Sequence, residues 1–417
     1  MTPKRIMFII NNLGGGGAER VVSNLCKGMG GYEKYGIIFE NIVEQKVEAT
    51  VISIESPPSK NIFKKILKFF VRFFKIKKLK KQKIKPDYAI SLLEPCNFLN
   101  VITKSKEKTI LSFHSHYSVS FPEALSFTQS LSGKILFYIY KTVFKFLYNR
   151  ADVLVSVSRG VAQDLIKNFG LNPNKMKVIY NPFPIEEIEK LSKEELGNYE
   201  PIFKYPVLIS AGRLTKQKGH WYLLRIFKKL KEKYSNLKLI ILGEGKLKDY
   251  LVEFSQNLNL KTFVWDRDTL SDKFDVYFLG FQKNPFKFIS RSKIFVLPSL
   301  WEGFGNVLVE AMACGIPVVS SDCKSGPREI IAPEIALDER IEKPFFGEYG
   351  ILIPPFESKF KSPEETLEEK EKMWIEVLEK LLNDEELRKN YSIKAKQRSR
   401  DFTLEKIVRE WENIFQN

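Results

Sequence analysis

A chain of 417 residues, 44% hydrophobic and 28% charged, is too long for a single core and too balanced for a disordered or fibrous protein, so two soluble globular domains are expected. Lys and Arg number 67 against 50 Asp and Glu, a formal charge of +17 at pH 7. The cysteines Cys26, Cys96, Cys314 and Cys323 have no metal-ligand spacing, and neither a signal peptide nor a bilayer-length apolar run is visible. A disulfide scaffold and a transmembrane protein are thereby set aside, and a cytoplasmic chain with buried, reduced thiols is predicted.

Residues 5–10 form a compact apolar run that predicts a strand, followed by a glycine-rich loop at 11–17 and a helix over 18–29. The next stretch to stand out is basic: from Lys60 to Lys85 there are twelve Lys and Arg and no acidic residue, leaving only +5 for the rest of the chain. Its pattern is helical. Ile62, Phe63, Ile66, Phe70, Phe73 and Phe74 recur at spacings of three and four, with Lys64, Lys68, Arg72 and Lys75 expected on the opposite side. That composition is that of a helix lying on an anionic membrane surface, with a core-facing helix bearing a solvated lysine face as the alternative. No recognisable nucleic-acid motif accompanies the charge, so no nucleic-acid partner is expected. Short strands are predicted at 49–53, 88–92, 109–112, 153–157 and 177–180, and a helix over 134–150 shows Phe137, Tyr140, Phe144 and Leu147 on one face, as a core helix does.

A charged stretch at 186–205 reads as a connection between domains, after which the pattern restarts. Strands are predicted at 206–210, 237–242, 276–279, 294–297 and 316–319, with a helix near 221–234, and amphipathic helices fill 363–417. Alternating strands and helices predict two doubly wound α/β halves, divided as residues 1–185 and 186–400, with a terminal helix at 401–417. Ligands of such sheets bind outside the carboxyl ends of the strands.

The polar motifs fall at those ends. In the segment Trp301 to Glu310, Glu302 and Glu310 are eight positions apart and flank Gly303-Phe304-Gly305, which runs through Asn306 and Val307 into an apolar helix. Glycine permits close backbone approach, and the unpaired N–H groups of a helix start attract anions. Glu302 is expected on the loop and Glu310 about two turns into the helix. Two carboxylates on either side of an anion site match the layout of a sugar nucleotide. The loop Gly212 to Gly219 sets Arg213 and Lys218 beside another helix start, where a departing diphosphate could be neutralised. Gly243 and Glu244 form a further strand-to-loop turn. The run Gly14-Gly15-Gly16-Gly17 lacks the lysine and hydroxyl of a P-loop, so a plain flexible turn and a phosphate cradle both remain open. His114 and His116 close a strand of the first half, but no carboxylate or thiol pattern completes a metal site. His220 reads as a capping or packing residue.

The spacing from Glu302 to Glu310, the run through Val319, the G-R-x-x-x-x-K-G pattern from Gly212 to Gly219 and the G-G-A-E-R stretch from Gly16 to Arg20 resemble glycosyltransferase family 4. The resemblance implies a GT-B fold, two Rossmann-like domains facing a central cleft with the terminal helix returning to the first. It implies retention at the anomeric carbon and no metal or other cofactor. Arg213 and Lys218 would stabilise the diphosphate, Glu310 would hold the nucleotide ribose, and Glu302 would lie against the donor sugar. Gly303, Phe304, Gly305, Asn306 and Val307 would line the donor, Gly243 and Glu244 would border the base, and Gly15, Gly16, Gly17 and His114 would meet phosphate or sugar. The donor would be a nucleotide sugar, UDP-linked, carrying a hexose or N-acetylhexosamine. With the basic segment 60–85 on the membrane, the acceptor would be a lipid-linked glycan at the inner face of the cell membrane, as for bacterial enzymes of lipopolysaccharide or lipid-linked oligosaccharide assembly. A non-catalytic membrane-associated partner of a glycan assembly complex and a GT-B nucleotide-sugar epimerase are the alternatives. After Val319 the chain departs from the family's glycine-rich turn, which leaves 320–349 without an assigned role.

Overall fold

The computed structural model describes residues 2–56, 62–124 and 131–416. Lys60 lies outside the described residues, as do the side chains of Ile62, Phe63 and Lys65. The chain divides into two compact units, residues 1–183 with 403–417, and residues 184–402.

The first unit is built on seven strands: β1 (Arg5–Ile10), β2 (Glu33–Ile38), β3 (Thr50–Ser53), β4 (Tyr88–Leu92), β5 (Lys108–Phe113), β6 (Val153–Ser156) and β7 (Met176–Val178). They lie in the order β3-β2-β1-β4-β5-β6-β7 and every pair is parallel. The helices between them are α1 (Gly17–Gly28), α2 (Ile62–Lys78), α3 (Cys96–Ile102), α4 (Tyr117–Ala124), α5 (Leu131–Tyr148) and α6 (Arg159–Phe169). β2 escaped the sequence reading because its first residues are charged and half-exposed and only Gly36 to Ile38 are buried.

Strand alternation sorts the helices onto the two sheet faces. Ile6, Phe8, Ile10, Ile90 and Ile110 point to the face covered by α1 and by the terminal helix Leu404–Gln416, whose Ile407, Val408, Trp411 and Phe415 share that core. Met7 and Ile9 point to the other face, against α3 and α2. Leu111 and Phe113 point the same way, by register, and meet α5 and α6. Thus α2, α3 and α5 form a layer on one face with α3 between the other two.

Two expectations about these helices need correction. In α2 the apolar residues cover more of the circumference than one face can bury. Phe69, Phe73 and Ile76 go to the core, while Ile66, Leu67, Phe70, Val71 and Phe74 are exposed. Arg72 turns inward rather than away: its guanidinium stacks 4.4 Å from the Phe39 ring centre and bonds the Ser56 hydroxyl and carbonyl. Lys75 donates to the Ile54 carbonyl at 2.9 Å. The helix ends in a π-helical turn, Leu79–Lys83, that buries Lys80 against Glu107 at 2.7 Å and the Asn100 side chain at 2.7 Å. Burial pulls the Lys80 ammonium down to about 8, with Glu107 opposing. In α5, Phe144 is buried and Phe137, Tyr140 and Leu147 partly so, as read, but the other face is also apolar and exposed.

The second unit holds β8 (Val207–Ala211), β9 (Lys238–Leu242), β10 (Thr262–Val264), β11 (Val276–Phe278), β12 (Ile294–Leu297), β13 (Val318–Ser321), β14 (Phe345–Phe346) and β15 (Ile351–Ile353). Their order is β10-β11-β9-β8-β12-β13-β15-β14, parallel except for the last pair. Its helices are α7 (Ile185–Leu191), α8 (His220–Lys233), α9 (Lys248–Asn257), α10 (Phe286–Ile289), α11 (Asn306–Ala313), α12 (Pro327–Ile331), α13 (Glu369–Asn383) and α14 (Glu385–Ser399); the terminal helix is α15. The stretch 186–205 is not a bare connection. It forms most of α7 and a 3₁₀ helix, Gly197–Lys204, and buries Ile188, Leu196 and Ile202, with Ile185 at its start. Its charges sit on the outward side, which is why it reads as a linker. All four cysteines are free and buried.

Candidate active site

In the second unit the strand order reverses between β8 and β12, and the loops leaving these two strands carry both charged motifs. Such a switch point opens a crevice at the carboxyl edge of a doubly wound sheet. The loops are knitted together. Leu300 N donates to Gln217 O at 2.8 Å, and the Gln217 amide donates to Trp301 O at 2.9 Å and to Glu302 Oε2 at 3.3 Å. Lys218 Nζ lies 2.6 Å from Glu302 Oε1, which also accepts from the Ser299 hydroxyl at 2.7 Å. Both partners are largely shielded, with side-chain exposures of 11% and 7%. Two residues 84 positions apart in sequence are therefore in contact. Arg213, on the same loop, is exposed.

The glycines are required by backbone approach. A Cβ on Gly219 would lie 2.6 Å from the Pro298 carbonyl oxygen, and one on Gly243 would lie 2.2 Å from that of Gly212. Gly243 N donates to Gly280 O, Gly212 N to Leu242 O and Leu214 N to Glu244 O, so the turn after β9 is pinned to the loop Gly212 to Gly219. The Glu244 carboxylate accepts from Phe281 N at 3.3 Å.

Helix α11 starts at Asn306 after Gly305, which adopts φ +95°. Glu310 is its fifth residue, so it sits just over one turn in rather than two, because the chain stays in a loop through Gly305. It is 4% exposed. Gly303 and Gly305 are buried, Asn306 and Val307 half-buried. Phe304 packs edge-on against Phe402 with ring centres 5.5 Å apart. The unassigned stretch after Val319 is ordered by Arg328, which pairs with Asp322 and donates to the carbonyls of Ala336 and Glu339 at 2.5 and 2.6 Å. β14 and β15 then close it as a short hairpin.

In the first unit the strand order reverses between β1 and β4. Gly15, Gly16 and Gly17 lie just beyond β1, with Gly15 and Gly17 exposed. Gly16 caps α1 in an extended conformation without a side-chain bond. His114 follows β5; its Nε2 is 2.9 Å from the Ser112 hydroxyl, and burial lowers its pKa to about 3, so its ring stays neutral. His116 instead faces Asp164 at 3.6 Å. His220, in the second unit, is buried and also pushed to about 3 by burial. Sequence reasoning missed Glu94, on the loop after β4. Its Oε2 accepts from the Tyr148 hydroxyl at 2.5 Å, while Oε1 is buried with no hydrogen-bond partner. Burial raises this carboxyl to about 7, against the lowering pull of Tyr148. A lone Glu before Pro95 carries no spacing signal; only its position after β4, beside the strand reversal, could have marked it. A cavity of about 960 Å³ lies elsewhere, near the amino ends of β5 and β6, among Lys104, Lys106, Lys108 and Lys175.

Residues 15–187 match the family described as Glycosyltransferase Family 4, and residues 192–337 match Glycosyl transferases group 1. An uncharacterized glycosyltransferase of Methanocaldococcus jannaschii is 37% identical over 92% of both chains. The chain belongs to glycosyltransferase family 4. A second relative is the Campylobacter jejuni N-acetylgalactosamine-N,N'-diacetylbacillosaminyl-diphospho-undecaprenol 4-alpha-N-acetylgalactosaminyltransferase, 31% identical over 98% of both chains. Among solved structures, Anabaena HepE in complex with UDP and glucose superposes with a TM-score of 0.72 at 19% identity, over 99% of both chains. A glycosyltransferase from Rickettsia africae superposes equally well, at 0.72 and 16% identity, over 100% of this chain and 98% of the other. The family 4 glycosyltransferase thus has the GT-B fold expected from its motifs, and it is an enzyme rather than a non-catalytic partner.

Proposed function

We propose that this glycosyltransferase moves an N-acetylhexosamine or hexose from a UDP-sugar, with retention, to a glycan carried on a polyprenyl diphosphate. The observation that carries the donor half is the contact between Lys218 and Glu302 across the β8–β12 strand reversal. A diphosphate at Lys218 and Arg213 would meet the first N–H groups of α11 as well, and both kinds of donor favour an anion. As the bond between the anomeric carbon and the diphosphate oxygen breaks, the electron pair leaves on the diphosphate, which these cations stabilise. Glu302, held by Ser299 and Gln217, would face the positive charge growing at the sugar ring. The acceptor hydroxyl then bonds the anomeric carbon on the same face and passes its proton to the departing diphosphate. Glu310 would hold the ribose hydroxyls, and no step calls on a metal. On the acceptor side, Gly15, Gly16, Gly17 and the neutral His114 would contact sugar or phosphate.

The acceptor half rests on the Campylobacter jejuni relative, whose name specifies a diphospho-undecaprenol substrate, and on the basic segment 60–85 as a contact to an anionic cytoplasmic leaflet. No helix among the described residues is long and apolar enough to cross a membrane. The test is transfer of label from a panel of UDP- and GDP-sugars to polyprenyl-diphosphate glycans, with Glu302→Ala and Glu310→Ala as controls. Label in the lipid fraction with native protein alone is expected. Nucleotide release without a labelled lipid would overturn the acceptor, and an inverted linkage in the product would overturn retention.

A further inference from the structure

The exposed apolar residues of α5 form one broad stripe, with Leu136 at its edge and the exposed Lys134 and Lys145 flanking it. Ile135, Tyr138, Ile139, Val143 and Phe146 follow at spacings of three and four, and Tyr138 and Phe146 are each 72% exposed. Scattered surface apolar residues need no explanation, but a continuous helical stripe does. On the same sheet face, beyond α3, α2 exposes Leu67 at 65% and Phe74 at 63%, with Ile66 and Phe70 beside them. The charge around both stripes is of one sign: the described helix α5 carries Lys134, Lys141 and Lys145 and no acidic residue, and neither does the chain from Lys60 to Lys85. A second copy of this surface would bring lysines against lysines, whereas an anionic lipid surface complements them.

We infer that α5 is a membrane-inserting element in its own right, seating its apolar stripe at the headgroup–acyl boundary of an anionic bilayer beside α2. This rests on the lipid-surface reading of segment 60–85 and divides the labour within it. Lysines on and after α2 supply salt-sensitive attraction, and α5 supplies most of the salt-resistant, apolar insertion. Aromatic and β-branched side chains fixed by a packed helix need little reordering to insert.

Vesicle sedimentation of the full chain separates the two contributions. The variant Ile139→Ser with Phe146→Ser, exposed positions whose loss leaves the core intact, is expected to lower partitioning onto phosphatidylglycerol-containing vesicles at least about tenfold, at low and at high salt. The variant Lys64→Ser, Lys68→Ser, Lys78→Ser and Lys81→Ser is expected to lower it only at low salt. Tyr138→Trp is expected to shift its emission to the blue on vesicle addition and to be quenched by brominated lipid. If the α5 variant binds as the native protein does and the tryptophan emission stays put, the inference falls, and loss of binding in the lysine variant would still uphold the α2 contact. Loss in the α5 variant alone would uphold α5 and remove the charge-based reading of 60–85. A change from dimer to monomer in the α5 variant without lipid would assign the stripe to a second copy and overturn the inference.

Discussion

Each sheet has a central strand reversal, β1–β4 in the first unit and β8–β12 in the second, and the loops flanking the two are held by different means. In the second unit the loops after β8 and β12 are tied by backbone bonds, by glycines with no room for a side chain and by the Lys218–Glu302 pair. In the first unit the loops after β1 and β4 share the 3.3 Å bond from the Asn11 amide to the Glu94 carbonyl and a Cys96–Asn11 contact at 3.7 Å. A Cβ on Gly16 would meet the Glu19 carboxylate, at the far end of a flexible side chain. The crevice of the second unit is thus fixed by close backbone packing, whereas at Gly16 the space for a side chain is limited by another side chain.

Breaking the tighter side should cost most. Gly243→Ala forces a Cβ into the Gly212 carbonyl at φ +125° and is expected to destabilise the second unit by about 3–5 kcal/mol, lowering its melting temperature by roughly 10 °C. Calorimetry checks this. Glu302→Gln keeps the shape but releases Lys218 from its carboxylate. Transfer should fall about 100-fold while nucleotide affinity rises, a split that kinetics and calorimetric titration would read separately; equal losses in both would show that the pair does not compete with phosphate.

The first unit offers smaller effects. Glu94 has its folded-state pKa raised from 4.5 to about 7. The stability tied to its neutral form is therefore complete below pH 4.5 and is lost as pH rises through about 7. Glu94→Gln should gain on the native protein between these limits, by at most about 3 kcal/mol, in denaturant melts run across that range. The neutral, half-buried His114 and the buried His220 act with the opposite sign, losing stability as pH falls below their ordinary 6.5, so only the difference between the two proteins isolates Glu94. Gly16→Ala should change stability by less than about 1 kcal/mol, and a melt unchanged beside a loss of transfer would assign that glycine to ligand contact.

The fold was legible wherever a strand was buried on both faces. Residues 5–10, 88–92 and 294–297 read as strands because parallel sheets bury continuous apolar runs. β2, β10 and the β14–β15 hairpin were not read, being short or charged at one end. The charged motifs of the second unit were legible because glycine, cation and carboxylate spacings survive in sequence. Their meeting was not: the contact between Lys218 and Glu302 depends on strand order, which no local pattern encodes. Arg72 and Glu94 were misread or missed for a related reason, since a single polar residue turned inward looks the same in sequence as one turned outward.

The layer formed by α2, α3 and α5 has a consequence for reach. If that layer is seated at the headgroup–acyl boundary, one helix thickness, about 10 Å, separates the sheet from the acyl chains. The loops at the carboxyl edge then open sideways at that height rather than down onto the surface. A diphosphate lying among the headgroups would pass beneath them, whereas a sugar chain standing off the membrane could present its outer end at their level. The thickness of a helix would thus set a minimum length for the acceptor, favouring extension of a glycan already begun over addition of its first sugar.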